Sequence, residues 1–327
     1  MDNTSLCNAT LKKFAINAIC VSSNAINNYS YFDLQLINNG KVKDLEKFSN
    51  EIGLSMKQGG KPNFQVLHDK GVVRMEFVAP RTNALSLFES FTTPPEGEAV
   101  ALLGKTFDGA DVWMNLCNNP HLIVAGTTGS GKSTFMHTLI ANMLKYNKVK
   151  LYLIDPKSIE FSEYEKLAGK LEVKYSYEEA VELLDHLVLV MNNRYECIRK
   201  GAKLTNIPPI VVIIDEFADL IMQDESHEFY DKLVILAQKS RAAKTHFVLG
   251  TQRPSADIIR GSIKANFPAR IACRVPTHVD SKVILDCSGA EDLMGKGDAY
   301  LKDNDRSMIR FQIAYTNAAQ VCNEFKV

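Results

Sequence analysis

His121-Leu122-Ile123-Val124-Ala125-Gly126-Thr127-Thr128-Gly129-Ser130-Gly131-Lys132-Ser133-Thr134 is a short apolar strand that runs into a Gly-rich turn and then into a helix. The spacing is that of a phosphate-binding P-loop. Gly126, Gly129 and Gly131 are expected to let the backbone turn tightly through positive φ, so that successive N–H groups line an anion-binding cup from Gly126 to Thr134. The helix, predicted from Ser133 to about Tyr146, would add its N-terminal partial positive charge. Lys132 would supply a full charge for the β- and γ-phosphates of ATP, and the Ser133 hydroxyl would ligate Mg²⁺.

A second signal lies 83 residues beyond Lys132, where Val211-Val212-Ile213-Ile214-Asp215-Glu216 is an apolar strand ending in two carboxylates. Placing paired acids at the end of a buried strand costs desolvation unless a cation and a water use them. In a P-loop protein Asp215 would hold the Mg²⁺ and Glu216 would polarise the attacking water. A third strand, Phe247-Val248-Leu249-Gly250-Thr251-Gln252-Arg253-Pro254, also ends in polar residues, at the edge where open α/β sheets bind ligands. Gln252 is expected there to sense the γ-phosphate.

Around these strands the pattern is that of a doubly wound, mainly parallel α/β sheet. Apolar runs at Leu151–Ile154, Ile210–Ile214, His246–Gly250 and Arg270–Val275 alternate with helical stretches at Ser176–Lys200, His227–Ala243 and Ser281–Leu285. The tail from Asp298 to Tyr315 alternates in polarity and is expected to add edge strands. Upstream, Asn63–Leu67 and Val72–Val78 form a hairpin turned by His68-Asp69-Lys70-Gly71, preceded by a helix from Asp44. A second helix, Leu85–Ser90, is broken by Thr93-Pro94-Pro95-Glu96-Gly97, and a further hairpin, Ala99–Gly104 with Ala110–Leu116, leads to the P-loop strand. These signals divide the chain into a leader of unknown structure (1–34), a small α+β subdomain (35–97) and a P-loop ATPase domain (98–327).

Composition narrows the class. The 327 residues are 46% hydrophobic and 23% charged, ordinary for a globular protein with a sizeable core. Lys+Arg and Asp+Glu both number 38, so any nucleic-acid surface must be local. The seven cysteines show no Cys-x-x-Cys pair, which points to buried free thiols and a reducing cytoplasm. The most hydrophobic run, Ile207–Met222, is interrupted by Asp215, Glu216 and Asp219, so direct membrane insertion is not expected. A faint signal-peptide pattern at Leu11–Val21 is broken by Asn17.

His121–Thr134, Leu153-Ile154-Asp155-Pro156-Lys157, Ile213–Leu220, Ser240-Arg241-Ala242-Ala243, Thr251–Pro254, Ile263-Lys264-Ala265-Asn266 and Gly289–Asp298, ending in Gly-Lys-Gly-Asp, together resemble the motor domain of FtsK/SpoIIIE-type DNA translocases. The resemblance runs from about residue 40 to about 302. It implies a RecA-like ATPase domain and a smaller N-terminal subdomain that assemble into a hexameric ring around double-stranded DNA and drive it by ATP hydrolysis. Arg241 matches the family's arginine finger, which reaches the neighbouring subunit's γ-phosphate. Arg253 and Lys282 match basic residues presented to DNA phosphates. The family usually has Arg where Lys282 stands, and Lys where His278 stands.

Many family members also carry N-terminal membrane helices and a C-terminal winged-helix module. The sequence shows no membrane span and only about 25 residues after Leu301, as expected of a stripped motor that moves a plasmid or other mobile element and leaves room for a membrane-bound transfer partner. Two alternatives share these signals: a secretion-type ATPase that moves protein, and a non-hydrolysing DNA-coupling scaffold.

Overall fold

The computed structural model describes every residue except 1–2, 27–28, 58–60, 68–69, 79–84, 147, 304–307 and 327. The chain divides into two units, Met1–Ala84 with Phe107–Gly109, and Leu85–Thr106 with Ala110–Val327.

In the first unit, helix α1 (Asn3–Lys13) precedes a hairpin of β1 (Ala18–Ile26) and β2 (Tyr29–Leu36); α2 (Val42–Lys47) and α3 (Ser49–Met56) then lead to β3 (Asn63–Leu67) and β4 (Val72–Val78). The strands form one antiparallel sheet in the order β1-β2-β4-β3. Alternation decides its faces: Phe32 and Leu34 on β2 and Val73, Met75 and Phe77 on β4 are buried with Cys7 and Leu11 of α1 and Ile52 and Met56 of α3. On the other face Arg74 grips both carboxylate oxygens of Asp33, at 2.7 and 2.9 Å.

This corrects the sequence reading of residues 1–34. The described residues of this segment form α1, β1 and most of β2 and contribute to the sheet and its core. Ser22, Ser23 and Asn24 gave the segment a loop-like composition, whereas burial follows only alternate positions such as Ala18 and Cys20. The expected hairpin of β3 and β4 is present, with Leu67 opposite Val72, while turn residues 68–69 lie outside the described residues. The single helix expected from Asp44 is two helices that part at Phe48 (φ −103°, ψ 20°). The subdomain boundary also moves, because residues 85–97 belong to the second unit: Leu87 is fully buried in its core and its N–H donates to the Tyr315 carbonyl at 2.9 Å.

The second unit begins with α4 (Leu87–Ser90), the hairpin β5 (Val100–Thr106) and β6 (Asp111–Asn115), then β7 (His121–Ala125) and α5 (Lys132–Tyr146). After β8 (Lys150–Ile154) and a 3₁₀ turn at Ser162–Leu167 come β9 (Leu171–Lys174), α6 (Tyr177–Arg199), β10 (Ile210–Ile214), α7 (Phe217–Gln223) and α8 (Glu228–Lys239). The chain ends with β11 (Thr245–Thr251), α9 (Gly261–Asn266), β12 (Ala269–Cys273), α10 (His278–Leu285), β13 (Asp298–Lys302), β14 (Met308–Ile313) and α11 (Ala318–Phe325). Helix α6 starts as its sequence predicts, with Ser176 and Glu179 capping each other's backbone N–H.

Ten strands pair in the order β6-β5-β14-β13-β12-β7-β11-β10-β8-β9. From β12 to β9 every pairing is parallel, and the rest are antiparallel. Along β7, Leu122 and Val124 pack with Phe135, Leu139 and Ile140 of α5, while Ile123 packs with Leu184 and Leu187 of α6 and Leu233 and Leu236 of α8. Strands coated by helices on both faces read as continuous apolar runs, and β7, β10, β11 and β12 are buried throughout. The expected doubly wound sheet is therefore present.

One part of that expectation is overturned. The strands at Asp298–Tyr315 are not at an edge; β13 and β14 sit between β12 and the β5–β6 hairpin, which closes the sheet on that side. Alternation along Met308–Ile313 reports one solvated face and carries no information about which strand lies alongside. All seven cysteines are free thiols, but Cys197 is exposed, against the expectation of burial. Among the described residues no helix is long and apolar enough to cross a membrane.

Candidate nucleotide-binding site

The P-loop stands where β7 leaves the middle of the sheet, and its backbone is tied to both neighbours. Gly126 N donates to the Thr251 carbonyl at the end of β11 (3.2 Å), and Thr127 N donates to the Arg274 carbonyl just past β12 (3.0 Å). The Gly295-Lys296-Gly297 turn closes the third side, with Lys296 N donating to Gly129 O (3.2 Å) and Gly297 N to Ser130 O (2.8 Å). Two glycines are required for different reasons. Gly131 adopts φ +118°, and a Cβ there would lie 2.6 Å from the Gly297 backbone. Gly126 does not take the positive φ expected of it; a Cβ there would meet Cys273 Cβ at 2.6 Å, so close approach selects glycine.

Lys132, the first residue of α5, is 3% exposed. Its ammonium donates to Asp215 Oδ1 (2.5 Å) and to the Asp215 carbonyl (2.8 Å) across the gap between β7 and β10. Burial pushes the Asp215 carboxyl above its ordinary pKa, the Lys132 charge opposes that, and Glu160 and Asp155 push upward again. Glu216 is 2% exposed and is held against the end of β11: Thr251 Oγ1 donates to Oε1 at 2.7 Å and Gln252 N donates to Oε2 at 2.9 Å. The Gln252 side chain returns to the P-loop, accepting from the Thr128 hydroxyl at 2.9 Å. Lys132, Asp215, Glu216, Gln252 and Thr128, named from three separate stretches of sequence, thus meet around one cup.

Ser133 belongs to the same place but has an unforeseen partner. Its hydroxyl donates to Glu160 Oε1 at 2.8 Å. The other carboxylate oxygen faces His137 Nε2 at 3.6 Å, and His137 Nδ1 lies 2.9 Å from the Tyr164 hydroxyl. His137 chiefly, helped by Ser133, holds the Glu160 carboxyl below its ordinary pKa against the upward push of burial. Sequence reading missed both residues. His137 stands four positions after Ser133 and so on the same helical face, and Glu160 follows the acid-ended strand β8 by a few residues.

The remaining predicted residues lie apart from this network. Arg241 is exposed in the connection before β11. It adds to the downward pull that burial exerts on the imidazoles of His121 (to about 3) and His246 (to about 4), which stand near the starts of β7 and β11. Gln252 follows the far end of β11, about 20 Å away at the rise of an extended strand. Arg241 thus stands at the opposite edge of the sheet from the cup of its own chain. No ion pair joins it to Asp231 or Glu228 among the described residues; Glu228 pairs with Lys232 at 2.7 Å. Arg253, after β11, and Lys282, on α10, are both exposed, and Arg253 Nη1 lies 3.6 Å from Met222 Sδ. His278 opens α10, capped by Thr277 and Asp280.

The FtsK/SpoIIIE family model matches residues 89–202 and 197–256, which include the P-loop, Glu160, Asp215, Glu216 and Gln252. Among curated proteins, the DNA translocase FtsK of Lactococcus lactis subsp. lactis is 33% identical over 341 residues, covering 96% of this chain and 45% of that protein. The DNA translocase FtsK of Streptococcus agalactiae is 40% identical over 245 residues, covering 68% of this chain and 30% of that protein. The chain therefore spans less than half the length of these relatives. Among solved structures, the pCW3 conjugation coupling protein TcpA, in a monomer form with ATPγS, superposes with a TM-score of 0.70 at 23% identity over 99% of both chains. The cytoplasmic domain of the type VII secretion ATPase EccC of Thermomonospora curvata gives 0.61 at 20% identity, covering 75% of this chain and 35% of that one. At these identities the likeness is one of fold, the RecA-like P-loop ATPase fold.

Proposed function

Since this chain belongs to the FtsK/SpoIIIE family, we propose that it is an ATP-driven double-stranded DNA translocase, moving the DNA of a plasmid or other mobile element. The observation that carries the reading is the joined network at the cup, where Gln252 bridges the P-loop residue Thr128 and the carboxylate of Glu216. A site that only binds nucleotide has no need of a carboxylate fixed by two donors beside the cup, which argues against a non-hydrolysing scaffold. Glu216 is proposed to accept the proton of the attacking water, Gln252 to register the γ-phosphate, and Lys132 to stabilise phosphate charge.

The residues fit nucleotide with Mg²⁺. The cup offers backbone N–H groups and the buried Ser130 hydroxyl, for which no oxygen or nitrogen partner stands among the described residues, and Ser133 and Asp215 are oxygen donors suited to a hard cation. Bound Mg²⁺ would neutralise phosphate charge. Arg241 is proposed to serve a neighbouring chain in a hexameric ring, with Arg253 and Lys282 holding DNA phosphates. A cytoplasmic setting and a membrane-bound transfer partner complete the proposal.

ATP turnover with and without long duplex DNA tests this reading. DNA should raise the rate, whereas a protein-moving ATPase of the same fold would ignore it. DNA binding should be nearly independent of sequence and should weaken steeply with salt, because phosphates rather than base edges are held. Arg253→Ala and Lys282→Ala should each lower the DNA-stimulated rate and reduce the slope of log affinity against log salt by about one. Filter binding across a salt series measures that slope, and a flat series would contradict the phosphate contacts.

A further inference from the structure

We propose that Glu160 is a positioning residue for the cation at the cup, fixing the Ser133 hydroxyl so that its lone pairs and not its proton face the metal. The inference rests on the reading of Ser133 as a cation ligand. A serine hydroxyl has one proton and two lone pairs, and ligation through oxygen requires the proton to point away from the cation. In an enclosed site that proton needs an acceptor. The Glu160 carboxylate accepts it at 2.8 Å. No hydrogen bond joins Ser133 to Asp215 among the described residues, and Asp215 Oδ1 is held by Lys132 at 2.5 Å.

Glu160 is itself held from two sides. His137 faces its second oxygen at 3.6 Å and is steadied by the hydroxyl of Tyr164, a fully buried residue. The backbone that carries Glu160 is folded back by Asp155, which accepts from Phe161 N at 2.8 Å through Oδ2 and from Ser158 N at 3.0 Å through its carbonyl. Asp155 is wholly buried, and its Oδ1 has no hydrogen-bond partner among the described residues. It stands at the end of β8, the strand beside β10 with Asp215. A partner one shell out from the metal, oriented in turn by a histidine, is the arrangement by which proteins fix a ligand's proton and strengthen its hold on a metal.

The test is the Mg²⁺ dependence of ADP binding by the full chain, measured calorimetrically with and without Mg²⁺, together with Mn²⁺ titration in the presence of ADP followed by electron paramagnetic resonance. Glu160→Ala is expected to weaken cation affinity about 10- to 100-fold while leaving metal-free ADP affinity unchanged. Glu160→Gln keeps an acceptor oxygen without the charge and should fall between Glu160→Ala and wild type. In a Ser133→Ala background, Glu160→Ala should cost nothing further, because the hydroxyl it orients is gone. Wild-type cation affinity in both Glu160 variants would overturn the proposal, as would an equal loss of ADP affinity with and without metal, which would mark a purely structural role. A wild-type chain whose ADP affinity ignores Mg²⁺ would overturn the cation-site reading, and the proposal with it.

Discussion

Replacing Lys132 with alanine is expected to lower ATP turnover at least about 100-fold, the scale on which loss of one preorganised charge donor is felt at a transition state. The structure adds a second consequence. The Lys132 ammonium is the partner of a carboxyl that burial already pushes toward protonation. Removing it leaves Asp215 uncompensated in a site where Asp215 is 3% exposed, a change that costs about 3–5 kcal/mol in other buried pairs. Thermal melting should therefore shift downward along with the loss of turnover. Glu216→Gln separates the two effects. It leaves the Lys132–Asp215 pair intact, so it should bind ATP with near wild-type affinity and cleave it about 10²- to 10⁴-fold more slowly. Turnover and equilibrium binding of a fluorescent ATP analogue, measured on both variants, check this. Wild-type turnover in either would contradict the assigned chemistry.

Arg241→Ala is expected to lower turnover about 1,000-fold or more, the range in which arginine fingers act, although among the described residues no hydrogen bond or ion pair joins Arg241 to the cup of its own chain. Its place near His121 and His246, at the starts of β7 and β11, is the opposite edge of the sheet from its own cup, as the proposed action on a neighbouring chain's nucleotide requires. Two inactive variants should then complement each other. Arg241→Ala subunits keep the cup and Lys132→Ala subunits keep the finger, so some interfaces in a mixed ring would hold both. Turnover of the mixture should exceed the sum of the two proteins alone and should rise faster than linearly at low protein concentration. A mixture that gives only the sum, with ring formation established by sedimentation, would remove Arg241 from the catalytic set.

The cup could be read from sequence because its parts are local: the turn from Gly126 to Gly131 and the acids after Ile214 each follow a strand within a few residues. Their meeting also follows from order, since parallel strands alternating with helices place the ends of β7, β10 and β11 at one edge. The N-terminal sheet was hidden because Ser22, Ser23 and Asn24 lie along β1, where only alternate side chains are buried. The place of β13 and β14 inside the sheet depends on pairing with β5, whose Gly104 lies opposite Ile313 more than 200 residues away in sequence. Glu160 escaped for a related reason. A lone acid on a loop carries no local signature, and its meaning comes from the backbone of residues 155–161 folding back onto α5.

Displacement of a third strand from a triplex at one end of a long duplex reports directly on movement along duplex DNA driven by ATP. Release should require ATP and an intact Glu216, begin after a lag that lengthens with the distance from the free end, and stop at high salt. Rapid ATP turnover on the same DNA, with the third strand left in place, would contradict such movement.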